Sequence, residues 1–200
     1  TWGVIVALLL VGIVVFAVSK DKKRWTARML ANGALCIALS TVLSFITLYK
    51  MPQGGSITLA SMLPMFLFAY AYGVGPGMLV GAAYGFVQFL QGGLYFVHPV
   101  ELLLDYPLAF AMLGLAGLSN KFSDQWGMIP GIILGTFGRF VCAFLSGLIF
   151  FGMYAPEGQN VVIYSMVYNG LYLVPEAIIC IVLAMIPQIR QLAKRLALQD

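Results

Sequence analysis

The chain has 200 residues, 62% of them hydrophobic and 9% charged, with a net charge of +4 and a mean hydropathy of +0.96. A soluble domain carries roughly 25% charged residues, so seven acids and eleven bases cannot coat a soluble globule of this size. The basic excess is not a nucleic-acid signal either, because the bases form short clusters between apolar runs and no stripe interleaved with aromatics.

Apolar stretches of ~20 residues span a bilayer as helices, and the long, non-alternating runs here exclude a β-barrel. The expectation is an all-α integral membrane protein. A first span, Trp2 to Ser19, lacks the basic start and small-residue cleavage site of a signal peptide. The cluster Lys20, Lys22, Lys23, Arg24 and Arg28 follows it. The second span runs from about Thr26 to Leu48. A Gly- and Pro-rich loop over residues 49–56 forms a turn or a short cap. The third span is about Ile57 to Tyr72, and Gly73 to Gly77 break it from the fourth, about Met78 to Gln91. The fifth covers about Pro99 to Leu118, the sixth about Met128 to Met153 and the seventh about Val161 to Ile186. A basic tail with Arg190, Lys194 and Arg195 closes the chain. Seven spans with the N-terminus outside place nine of the eleven bases inside, leaving Lys50 outside and Arg139 buried. The inner basic clusters would also touch anionic headgroups.

Glu101, Asp105, Arg139 and Glu176 fall within spans, where each charge costs at least ~2.5–3.5 kcal/mol and needs a reason. Glu101 and Asp105 are four apart on one helix face. Glu101 is nearer the outer interface, where water screens it, and Asp105 lies about 10 Å deep, level with Asn169 on the last helix. Tyr84, Tyr95, Tyr106, Phe151, Tyr154, Tyr164 and Tyr168 gather toward the same side. Aromatic faces attract a cation and a carboxylate supplies counter-charge, so the set suits a small, flat, cationic ligand. Arg139 and Glu176, near mid-membrane on consecutive antiparallel helices, read as a structural ion pair in preference to ligand contacts. His98, before Pro99, reads as a cap or interface residue, with a ligand contact as the alternative. Cys36, Cys142 and Cys180 read as small packing residues. No zinc set, catalytic triad or P-loop occurs, so neither an enzyme nor a metal cofactor is expected.

Four blocks carry a family resemblance: Met51-Pro-Gln-Gly-Gly-Ser-Ile-Thr-Leu59, His98-Pro-Val-Glu-Leu-Leu-Leu-Asp-Tyr106, Phe150-Phe-Gly-Met-Tyr-Ala-Pro-Glu-Gly158 and Ile163-Tyr-Ser-Met-Val-Tyr-Asn-Gly170. In order and spacing they resemble the thiamine-specific S components of energy-coupling factor (ECF) transporters, the ThiT/YuaJ family, over about Arg28 to Ile186. The resemblance implies a six-helix membrane domain over residues 26–200. Residues 1–25 then form an extra N-terminal transmembrane helix with a basic linker. It implies a substrate-binding subunit of the bacterial plasma membrane that takes thiamine from outside and works with a scaffold membrane protein and two ATPases. Family ligand positions fall on Asp105 (as Asp in place of Glu), Tyr106, Tyr164 and Asn169. Aromatic wall positions fall on Tyr84, Tyr95 and Phe151, a basic position falls on Arg139, and His98 joins the candidate ligand groups. The motif that packs on the scaffold falls on Ala34 and Ala38, whose spacing presents a flat face for close helix contact. Ala143 stands where the family has a pocket His, and Ser56 where some members have a loop Trp. These departures leave open an S component for a related flat heterocycle, such as a thiamine precursor or another vitamin. A small membrane enzyme and a structural adaptor are the rivals from other classes. The first has no catalytic His or metal pair to support it, and the buried Asp105 argues against the second.

Overall fold

Residue 12 and residues 25–92, 98–121 and 127–198 are described by the computed structural model of the chain. Apart from Gly12, the first span from Trp2 to Ser19 lies outside the described residues, as does Tyr95, and the division at residue 25 falls at their edge.

Thr26 opens the first helix, α1 (Ala27–Phe45), with its Oγ1 accepting from the Met29 N–H at 3.2 Å, which satisfies one of the four orphan donors at a helix start. The helix buries Met29, Gly33, Ser40 and Ser44 and turns Leu30, Leu35, Leu39 and Val42 outward. An apolar outer face of this kind suits lipid.

The chain then departs from the expected pattern. α1 stops at Phe45, and the expected simple loop is an antiparallel hairpin of β1 (Thr47–Lys50) and β2 (Ser56–Thr58), with Thr47 opposite Thr58 and Lys50 opposite Ser56. Its turn needs left-handed backbone at Gly54 (φ 95°) and Gly55 (φ 76°), which glycine adopts without steric cost. Ile57 therefore lies in a strand, and the helix that follows, α2, covers only Leu63–Tyr72. Ten residues reach about 15 Å, half of a hydrocarbon core, so the third span is not one continuous helix. The missing length is strand and turn running down into the bundle. Non-helical backbone survives at that depth only when protein covers it, and here Thr58, Ala60 and Ser61 are all buried. Every residue of α2 is buried too, which makes it the central element.

Gly73 (φ 96°) ends α2 and starts α3 (Val74–Gln91). The fourth membrane helix, α4, is composite: α-helical over Pro99–Leu103, π over Leu104–Leu108, α-helical over Ala109–Ala111 and 3-10 over Met112–Lys121. Pro107, which has no N–H to give, sits inside the π turn. α3 meets α4 backbone to backbone, because a Cβ on Gly81 would strike the Phe110 carbonyl and one on Gly85 the Tyr106 carbonyl. α5 (Ile129–Phe150), a 3-10 turn (Gly152–Tyr154) and α6 (Val161–Ala184) complete the bundle. The expected basic tail is a helix, α7 (Pro187–Leu198), with Ala193 buried and Arg195 in its last turn.

Among the described residues, α1, α4 (over Pro99–Ser119), α5 and α6 are long and apolar enough to cross a membrane. The all-α membrane architecture follows, with α1 to α6 as the bundle. Phe66, Phe68, Tyr72, Met62 and Ile132 fill its centre. Cys142 and Cys180 are buried and unpaired, and Cys36 is half-buried, as packing residues would be.

Candidate functional site

A cavity of about 710 Å³ lies where the C-terminal ends of α1, α3 and α5 meet the N-terminal parts of α4 and α6. The β-hairpin closes part of it, contributing Thr47, Lys50 and the tip residues 52–56. The position of the cavity follows from the chain's alternating direction, which brings those ends together.

Asp105 reaches the wall from the π turn of α4, and its Oδ2 accepts from Ser146 Oγ of α5 at 2.8 Å. Tyr106 is beside it, edge-on to Phe89 at 5.3 Å between ring centroids. Phe151 and Tyr154 enter from the turn after α5. Tyr164, Tyr168, Asn169 and Tyr172 come from the first half of α6. Tyr164 and Tyr168 lie 5.8 Å apart, and Tyr168 and Tyr172 6.4 Å, so this helix supplies a nearly continuous aromatic wall. Asn169 Nδ2 donates to the Ser165 carbonyl at 2.9 Å and the Ala143 carbonyl at 3.3 Å, while Oδ1 accepts from Tyr172 Oη at 3.0 Å. Both N–H groups are thus used inside the protein, and the side chain offers a ligand the second lone pair of Oδ1. Arg139, Ala143 and Ser56 also line the cavity.

Four expectations need correction. Tyr84 is not a wall residue: it is fully buried, donates to the Ser40 carbonyl at 3.2 Å, accepts from Gln88 Nε2 at 2.9 Å and packs edge-on against Phe110. His98 does not line the cavity. Its Nδ1 accepts from Val100 N–H at 3.1 Å and its ring stacks on Phe150, so the cap reading holds and the ligand role falls. Glu101 is not water-screened: it is 4% exposed, and its Oε2 accepts from the His98 N–H at 3.1 Å to close a capping box. Arg139 and Glu176 form no ion pair. Glu176 Oε1 accepts from Thr58 Oγ1 at 2.5 Å and Ser61 Oγ at 2.9 Å. The Arg139 guanidinium lies over the Phe110 ring at 4.2 Å, with Nη1 2.9 Å from Met62 Sδ. The physical reason is the non-helical descent after β2, which brings two hydroxyls to Glu176 that a seven-helix reading never places there.

Residue-by-residue reading also missed wall groups. Ser44, Gln88 and Gln91 form one network, with Gln88 Nε2 3.1 Å from both Ser44 Oγ and Gln91 Oε1. Two glutamines three apart in an apolar helix were a legible signal of the same kind as Asp105. Lys50 and Gln53 were not legible, because only the hairpin turns them onto the cavity. Tyr168 fastens that hairpin: its Oη accepts from Gln53 N–H at 2.9 Å and donates to the Gly54 carbonyl at 2.8 Å. Gly55 lies flat on the Tyr172 ring, where a Cβ would come within 2.9 Å.

A carboxylate set among aromatic faces, with amide and hydroxyl groups around it, is equipped to bind and desolvate a flat cation. Among the described residues no cluster of His, Cys, Asp or Glu is placed to hold a metal ion. Away from the cavity, Ala34 and Ala38 are exposed on α1, beside the exposed Leu35 and Leu39.

Comparison with known proteins agrees with this architecture. A thiamine transporter ThiT of Bacillus subtilis is 36% identical over 160 residues, 74% of this chain and 83% of that protein. A thiamine transporter ThiT of Lacticaseibacillus paracasei is 32% identical over 123 residues, 54% of this chain and 61% of that protein. A solved structure of ThiT from Listeria monocytogenes superposes with a TM-score of 0.69 at 26% identity, covering 84% of this chain and 93% of that one. The model of the thiamine transporter protein (Thia_YuaJ) family matches residues 30–196, and the chain belongs to that family, one of membrane transporters and not of enzymes.

Proposed function

We propose that this chain is the substrate-binding subunit of a thiamine uptake system in the bacterial plasma membrane. The observation that carries the reading is Asp105, oriented by Ser146 on the wall of an aromatic cavity. Thiamine is a flat aminopyrimidine joined to a thiazolium cation. Asp105 supplies counter-charge, Tyr106, Phe151 and Tyr164 supply ring faces, and Asn169 Oδ1 accepts an N–H. Arg139 completes the proposed set at the inner side of the wall. The chain carries no nucleotide-binding loop of its own. Energy then comes from an ECF coupling module of a scaffold membrane protein and two ATPases, met through Ala34 and Ala38. Transport is a reorientation of the loaded bundle in the bilayer that carries a closed site inward.

A second reading is favoured by one observation. Ala143 and Ser56, the two departures from the family pattern, both line the cavity, so the site has room where relatives carry larger rings. A related heterocycle would use that room. Calorimetric titration with thiamine, and with its aminopyrimidine and thiazole halves separately, distinguishes the two. Thiamine binding at least roughly tenfold tighter than either half supports thiamine as ligand. A half that binds as well as the whole supports the second reading, and no saturable binding of any of them at tens of micromolar rejects both.

A further inference from the structure

We infer that Gln53, carried on the hairpin tip, is a ligand-recognition residue: its side-chain carbonyl accepts a hydrogen bond from an N–H or O–H of the bound small molecule. Among the described residues three buried side-chain polar atoms have no hydrogen-bond partner: Ser40 Oγ, Thr136 Oγ1 and Gln53 Oε1. Only Gln53 lines the cavity. A buried acceptor without a donor is costly, and each one in a native fold calls for an explanation.

The backbone of the tip is anchored to the bundle. Tyr168 Oη holds the Gln53 N–H at 2.9 Å and the Gly54 carbonyl at 2.8 Å. Met51 N–H donates to the Gly55 carbonyl at 3.0 Å, closing the turn from within, and Gly55 rests on the Tyr172 ring. The backbone of Gln53 is thus fixed over the cavity while its side-chain carbonyl is left unsatisfied. A donor on the ligand would satisfy it and would also join the hairpin to whatever Asp105 and the aromatic wall hold.

The test rests on thiamine as the ligand, which has two suitable donors, the pyrimidine amino group and the side-chain hydroxyl. Gln53→Leu keeps the volume and removes the acceptor. Wild type and variant are titrated with thiamine, with an analogue bearing chlorine for the hydroxyl, and with one bearing methyl for the amino group. Thermal unfolding without ligand serves as the control for folding. The expected result is roughly tenfold weaker thiamine binding by the variant, an unchanged or higher melting temperature, and a loss that vanishes for one of the two analogues. Unchanged thiamine affinity, as when water alone satisfies the carbonyl, overturns the inference while the thiamine assignment stands. An equal loss for all three ligands also overturns it, because that is a packing effect. A wild-type protein that binds none of them overturns the thiamine assignment and this inference together.

Discussion

Glu101 and Asp105 are one helical turn apart and chemically alike, yet what donates to each gives them different work. Glu101 accepts the His98 N–H and holds the start of α4. Among the described residues Asp105, which lines the cavity as Glu101 does, accepts from the Ser146 side-chain hydroxyl and keeps acceptor capacity for a ligand. Asp105→Asn should therefore weaken thiamine binding roughly 10–150-fold, the worth of a charged hydrogen bond in a buried site. Glu101→Gln should cost far less, because glutamine serves in a capping box; calorimetry on the two variants compares them directly, and equal losses would reverse the assignment. Tyr168 belongs to the same scale. Its hydroxyl is the clasp on the hairpin tip, so Tyr168→Phe should speed ligand dissociation several-fold with little change in association rate. Stopped-flow fluorescence reads both rates, and an unaltered dissociation rate would show that the clasp does not restrain the bound state.

At the scale of elements, the hairpin and the short α2 solve one problem together. A chain that must place a lid over the cavity and still cross the bundle uses strand and turn for the outer half and helix for the inner half. The junction is secured where Thr58 and Ser61 donate to Glu176, 1% exposed and about 22 Å along α6 from its start. Thr58→Val leaves that buried carboxylate short of a donor and should destabilise the protein by about 1–3 kcal/mol, seen as a lower melting temperature in detergent. The α3–α4 contact is the second structural dependency. Gly85 lies against the Tyr106 carbonyl in the turn that carries Asp105, so Gly85→Val must push that turn away. We expect about 1–3 kcal/mol of destabilisation from overpacking together with weakened binding, measured by thermal unfolding and titration of the same sample.

At the scale of the whole molecule, the proposed docking face on α1 lies apart from the cavity. Ala34 and Ala38 are exposed while the cavity is formed by other faces and other helices. Replacing both by Trp should leave thiamine binding by the isolated subunit intact and abolish co-purification with the coupling module. Loss of both would mean that this face supports the fold, and retention of both would exclude docking through it. α7 packs back on the bundle, with Ala193 in the central core cluster and Ile189 and Leu196 against it.

Composition and periodicity were sufficient for the membrane environment, the order of the helices from α1 onward, and Asp105, Tyr106, Phe151, Tyr164 and Asn169 as wall residues. These are properties of single segments: an apolar run long enough to cross a bilayer must be a helix, and an isolated carboxylate inside it must have a purpose. The hairpin, the shortened α2, the hydroxyl clamp on Glu176, the burial of Tyr84 and the turning of Gln53 toward the cavity were decided only by tertiary structure. Each depends on which distant groups meet: Thr58 with Glu176 across 118 positions, and Tyr168 with Gln53 across 115. Segment hydropathy carries no record of such pairings, because a Thr or Gln reads the same whether its partner is water, lipid-buried carboxylate or ligand.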